Sequence, residues 1–128
     1  AVIPRLHHLK PVNLVALNPV DGRRFGVSHG DVVRITTPGG QAQAQISLLN
    51  GVMPGVIAIE HGYGHREMGA AQHTLDGELM ASDTQIKSGI NINDLGFADP
   101  TRQVANTWLD WVSGASVRQG LPAKIERV

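Results

Sequence analysis

Short apolar runs in this chain are separated by breaks marked with glycine, proline or asparagine. Val12-Asn13-Leu14-Val15-Ala16-Leu17 runs into Asn18-Pro19, which predicts a buried strand entering a turn. Asn18 can cap and Pro19 can open a short helix over Val20 to Phe25, ended by Gly26. Ser28-His29-Gly30-Asp31 reads as a turn, and the β-branched run Val32 to Thr37 as a strand stopped by Pro38-Gly39-Gly40. Gln41 to Leu48 alternates polar and apolar residues, the period of a strand with one wet face, so the two runs make a hairpin. Asn50-Gly51 ends it. After Met53-Pro54-Gly55 a further strand, Val56 to Glu60, is broken by His61-Gly62-Tyr63-Gly64-His65.

Gly30 to Thr36 and Pro54 to Glu60 share a turn glycine followed by a β-rich run, a weak internal echo. Arg66 to Ile90 is irregular, with scattered Gly, Ala and Thr, and is expected to form a long, partly ordered excursion that is mobile without a partner. Val104, Ala105, Trp108, Leu109 and Val112 fall at helical spacing and predict a helix over 102 to 112. Ala123 to Val128 alternates as a last strand.

Composition narrows the function classes. At 128 residues with 41% hydrophobic and 17% charged residues, the chain suits one globular domain, 1–128. Eleven basic residues balance eleven acidic ones, which argues against nucleic acid as a partner. Without Cys there is no disulfide, thiolate metal site or thiol nucleophile in this sequence. No apolar run approaches the roughly 18 residues that span a bilayer, so direct membrane insertion is not expected, and no signal-peptide layout opens the chain. A start at Ala1 rather than Met suggests a segment excised from something longer.

The densest chemistry is His61-Gly62-Tyr63-Gly64-His65, where glycines let a backbone approach a ligand and imidazoles flank it. A solvated glycine-rich turn explains the same residues, whereas zinc is disfavoured because the glycines oppose a helix and no third ligand follows. Asn91-Ile92-Asn93-Asp94-Leu95 concentrates amide and carboxylate groups suited to the edge of a guanine or pterin, or else forms an Asx turn. His7-His8 beside Arg5 and Lys10 is either an anion cluster or a solvated terminus. Asp99-Pro100-Thr101 is most simply a helix entry. No nucleophile elbow, phosphate loop or dinucleotide glycine fingerprint is present.

Taken in order, Leu17 to Ile35, Pro38-Gly39-Gly40, Pro54-Gly55-Val56, His61 to His65, Asn93-x-Leu95 and Asp99-Pro100 resemble the C-terminal dinucleotide-binding domain of the dimethyl sulfoxide reductase family of molybdenum enzymes. The loop His-Gly-Tyr-Gly-His-Arg-Glu-Met-Gly-Ala is most similar to the branch that reduces tetrathionate, then thiosulfate or arsenate. The resemblance implies a mainly β fold, a six-stranded double-psi β-barrel with short helices. It further implies part of a bis(molybdopterin guanine dinucleotide) molybdenum cofactor as ligand, with His61, Gly62, Gly64, His65, Asn91, Asn93, Asp94 and Lys124 as cofactor-binding residues and no catalytic residue here. The rest of the cofactor and an iron–sulfur cluster would be held by other domains of the catalytic subunit. An electron-transfer iron–sulfur subunit is the implied partner, and a tetrathionate-reducing parent would work on the periplasmic or extracytoplasmic face. Gly96 stands where the family often has Thr. A free-standing double-psi barrel that binds protein or peptide is the alternative. A decarboxylase of similar fold would need a self-cleaving Gly-Ser, which is absent.

Overall fold

The computed structural model describes residues 3–67, 69–96, 112–115 and 120–128. Residues 102–111 of the helix expected over 102 to 112, and the Asp99-Pro100 entry, lie outside them, and Val112 stands in a turn. The elements run α1 (Pro4–His7), β1 (Val15–Leu17), α2 (Pro19–Phe25), β2 (Val32–Thr37), β3 (Gly40–Leu48), β4 (Ile57–Ile59), β5 (His73–Leu75), β6 (Glu78–Met80), a 3₁₀ turn (Ile92–Asp94) and β7 (Lys124–Arg127).

Among the described residues the strands form a five-stranded sheet, ordered β4-β1-β3-β2-β7, and a separate β5–β6 hairpin. The chain is thus mainly β with short helices, as expected, and β4 and β7 form the edges of an open sheet. β1 pairs parallel with β3, with Val15 opposite Ile46, and antiparallel with β4, with Val15 opposite Ile59. β3 and β4 follow each other in sequence yet lie on either side of β1. The echoed segments also have a spatial counterpart: β2 flanks β3 and β4 flanks β1, both antiparallel.

The two-residue period decides which side chains make the core. In β2, Val33 and Ile35 are fully buried while Val32 and Arg34 are exposed. Ala42 and Ala44 on β3 and Ile125 on β7 face them across the ladder, and Val15, Leu17, Ile46, Val27 and Leu95 complete the cluster.

α2 follows its sequence signals closely. Asn18 has extended backbone angles and its side-chain oxygen accepts from Val20 N at 2.9 Å, Pro19 occupies the first turn, and Gly26 closes the helix at φ 67°. The Asn18 amide also donates to Val52 O at 2.7 Å, and Asp21, buried in the first turn, accepts from Gly55 N at 2.6 Å. The helix is therefore tied to the turn before β4 by two side chains. Asn18→Ala removes a cap and leaves Val52 O without its donor, so it should cost about 2 kcal/mol. A chemical denaturation midpoint unchanged from wild type would contradict this.

The Arg66 to Ile90 excursion contains a hairpin that its irregular sequence pattern does not predict. β5 and β6 pair His73 with Met80 and Leu75 with Glu78 around Asp76 and Gly77, both at positive φ (50° and 85°). That is the backbone of a tight primed hairpin turn, for which Asp-Gly is a favoured sequence. Every residue from 71 to 85 is exposed, so the hairpin forms from its turn and ladder without a buried face.

Candidate functional site

Two stretches that are about 30 residues apart in sequence meet in the fold. The loop after β4 carries His61 to His65; the segment leading into the 3₁₀ turn carries Ile90 to Asp94. Gly64 N donates to Ser88 O at 2.8 Å and His65 N to Ile86 O at 3.2 Å. A Cβ on Gly64 would lie 2.3 Å from Asn91 N and 2.6 Å from the Ile90 carbonyl carbon, so only glycine permits this approach. Its φ of 63° makes the same demand independently. Arg66 Nη2 reaches Asp94 Oδ1 at 2.7 Å across the pair, an exposed contact that adds little stability but fixes where both side chains sit.

The 3₁₀ turn rests on the β2–β3 hairpin. Thr37 Oγ1 donates to Leu95 O at 2.6 Å, Leu95 is buried in the core, and a Cβ on Gly40 would lie 2.3 Å from Asp94 O. The Asn91 side-chain oxygen accepts from Asn93 N at 3.0 Å and caps the turn, so the Asx-turn interpretation of this motif is correct as local structure. The cap leaves other groups open. The Asn93 carboxamide is exposed and makes no hydrogen bond among the described residues, nor does the Asn91 NH₂ group.

The other candidates have defined places. His65 Nε2 lies 3.1 Å from Gly62 O, which requires the proton on Nε2 because a carbonyl only accepts. His61 and Gly62 are exposed, and a Cβ on Gly62 would meet nothing within 4 Å. The N-terminal basic cluster packs beside the loop: Lys10 pairs with Glu60, Tyr63 OH donates to Lys10 O at 3.1 Å, and His7 Nε2 lies 3.1 Å from Ser88 Oγ. Lys124 sits elsewhere, opposite Thr36 on the sheet face away from Ile35, with its ammonium 2.7 Å from Glu126. The Lys124 hydrogen bond and charge hold the Glu126 carboxyl below its ordinary value of 4.5. Any stability from that pair is present above the ordinary carboxylate value and is lost as pH falls below it through the lowered folded value. Among the described residues no group of three His, Cys, Asp or Glu could hold a metal ion, and no helix is long and apolar enough to cross a membrane.

Residues 3–108 match the family described as Molydopterin dinucleotide binding domain. The chain belongs to this family. It is 80% identical over all 128 residues to a tetrathionate reductase subunit of Salmonella typhimurium, of which it covers 12%. It is also 30% identical to a selenate reductase subunit of Mesobacillus selenatarsenatis, over 94% of the chain and 13% of that protein. Identity to the molybdopterin-containing arsenate respiratory reductase subunit of Chrysiogenes arsenatis is 31%, over 84% and 11%. The chain therefore spans about an eighth or less of the length of these curated relatives.

The open polar groups can be tested against the ligand of a molybdopterin dinucleotide-binding domain. They fit. A guanine or pterin edge carries neighbouring donors and acceptors, and the Asn93 carboxamide offers one of each, with the Asn91 NH₂ as a further donor. The nearby cations suit a diphosphate less well, since Lys10 is paired with Glu60 and Arg66 with Asp94.

Sequence reasoning alone misses Asn13, Thr37, Gly40, Ser88 and Gly89, which support this arrangement. A signal exists for Asn13: a carboxamide inside the apolar run Val12 to Leu17 must either face water or satisfy something buried. Thr37 and Gly40 look like ordinary hairpin residues until the 3₁₀ turn is seen to rest on them.

Proposed function

We propose that the His61–His65 loop and the Asn91–Asp94 turn form one wall of a bis(molybdopterin guanine dinucleotide) site in a tetrathionate reductase catalytic subunit. The observation that carries this is the close seating of Gly64 on Asn91, which presents the open Asn93 carboxamide beside the loop. The 80% identity to a tetrathionate reductase subunit supports the choice of substrate. When bound, the molybdenum centre supplies the electron-transfer chemistry. The residues of this chain bind and orient the organic part: Asn93 through its carboxamide, Asn91 through its NH₂, His61 and Gly62 from the exposed loop, and His65 by holding that loop through Gly62 O. Gly64 acts by allowing the approach and Asp94 by anchoring Arg66. Lys124 would reach the cofactor only from the far face of the sheet, making it the weakest member of the set.

The whole chain, 1–128, would be one domain of that subunit, with the remaining domains holding the rest of the cofactor and an iron–sulfur cluster. A separate iron–sulfur subunit would pass electrons, on the extracytoplasmic side of the membrane. The sheet would be part of a six-stranded double-psi barrel. The interleaving of β1 between the consecutive strands β3 and β4 supports that expectation.

In the cofactor-loaded subunit, Asn93→Leu should leave cofactor polar groups unpaired and weaken retention by about 1–3 kcal/mol. The sheet should be unaffected, because the Asn93 side chain bonds to nothing among the described residues. Guanine nucleotide and molybdenum per folded molecule decide the matter: full occupancy in the variant would remove Asn93 from the site.

A further inference from the structure

We infer that Asn13, which touches neither segment's open groups, is the positioning residue that fixes the distance between the two halves of the wall; this rests on the proposed cofactor site. Asn13 is 2% exposed and just precedes β1. Its Nδ2 donates to Glu60 O at 2.9 Å and to Ile90 O at 3.0 Å, and its Oδ1 accepts from Ile90 N at 2.9 Å. Glu60 immediately precedes His61, and Ile90 immediately precedes Asn91. One carboxamide therefore bonds to the backbone at the root of both site segments.

The geometry leaves it little freedom. Both Nδ2 hydrogens are used, and a Cβ on Gly89 would lie 2.5 Å from Asn13 Oδ1 and 3.0 Å from Tyr63 Cβ, so the pieces are in close contact. Asp at position 13 would place a carboxylate against two carbonyl oxygens. Leu would leave two carbonyls and an amide without partners. Only a side chain with both a double donor and an acceptor satisfies all three groups. No hydrogen bond joins Asn13 to Asn91 or Asn93, so any effect on the cofactor must pass through the two backbones.

The test compares two cofactor-loaded variants that lose similar side-chain bonds in different places: Asn13→Ala, and Asn18→Ala, whose bonds to Val20 N and Val52 O lie at α2. The readouts are guanine nucleotide release below the melting range of both variants and amide exchange at 61–65 and 90–94. Asn13→Ala should speed release about tenfold, the effect of roughly one net hydrogen bond, and should raise exchange in both segments. Asn18→Ala should do neither. Equal release from the two variants, or wild-type release from Asn13→Ala, would overturn the assignment. Asn13→Asp, which keeps the acceptor and the volume, serves as a second variant; loss of all folded subunit in both position-13 variants would assign the residue to the scaffold and also overturn it. If Asn93→Leu loses nucleotide while Asn13→Ala retains it, the cofactor wall stands and the role of Asn13 falls. If both retain it, the wall itself falls.

Discussion

Gly64→Ala should be the most damaging single-methyl change in the site. Two costs coincide at this position. An L-residue at φ 63° loses about 1–2 kcal/mol relative to glycine, and the new Cβ would lie 2.3 Å from the Asn91 nitrogen. Backbone cannot yield as a flexible side chain can, so the loop and the 90–91 segment must separate, at the roughly 1–3 kcal/mol typical of overpacking. The total is about 3 kcal/mol, and the displaced groups are those proposed to meet the cofactor. Gly62→Ala isolates the contact, because Gly62 also has positive φ, 87°, but faces open space. Denaturation should show about 1–2 kcal/mol lost for Gly62→Ala and about 3 kcal/mol for Gly64→Ala, with nucleotide content also falling in Gly64→Ala. Equal effects would mean that backbone conformation alone, not the seating on Asn91, governs this loop.

The second large effect belongs to the core. Ile35 is fully buried on β2, between Ala42 on one neighbouring strand and Ile125 on the other. Ile35→Ala removes three carbons where the flanking alanines cannot fill the space, and should cost about 4 kcal/mol. Set against the roughly 5–15 kcal/mol total of a natural domain, that is a substantial fraction. Val32→Ala, three residues away on the exposed face, should cost well under about 1 kcal/mol. Urea unfolding of the two variants checks the facing of β2 directly: comparable losses would mean that the strand register is shifted by one residue.

Periodicity carries most of the sheet, and capping chemistry carries α2. Val33 and Ile35 alternate with Val32 and Arg34, and Asn18-Pro19 with Gly26 brackets one helix and nothing else. The β5–β6 hairpin is hard to see in the sequence because its three-residue strands bury no face and leave no alternation to read. Its Asp76-Gly77 turn is the available signal. α1 is likewise unmarked, since four residues hold too little pattern. At the site, the candidate residues can be found by type, and their meeting is expected only through the family resemblance, which puts both segments on one ligand. The contact between Gly64 and Asn91 is a tertiary approach flanked by the contacts of Asn13, Thr37 and Gly40, of which only Asn13, a carboxamide inside an apolar run, leaves a mark in the sequence. Lys124 illustrates the reverse case. Its charge and its place on the last strand are readable from sequence, and the pairing of β7 with β2 adds that it lies beside Glu126 on the sheet face away from Ile35.

The structure of the cofactor-loaded subunit gives the most direct measurement, the distance from the Asn93 carboxamide to the nearest polar atom of the bound dinucleotide. A wall built from the 61–65 loop and the 91–94 turn requires direct hydrogen bonding, roughly 3 Å between heavy atoms, with His61 or Gly62 lining the same stretch of the ligand. A dinucleotide lying against the opposite face of the sheet, near Lys124 and beyond the reach of Asn93 even through a bridging water, would contradict it.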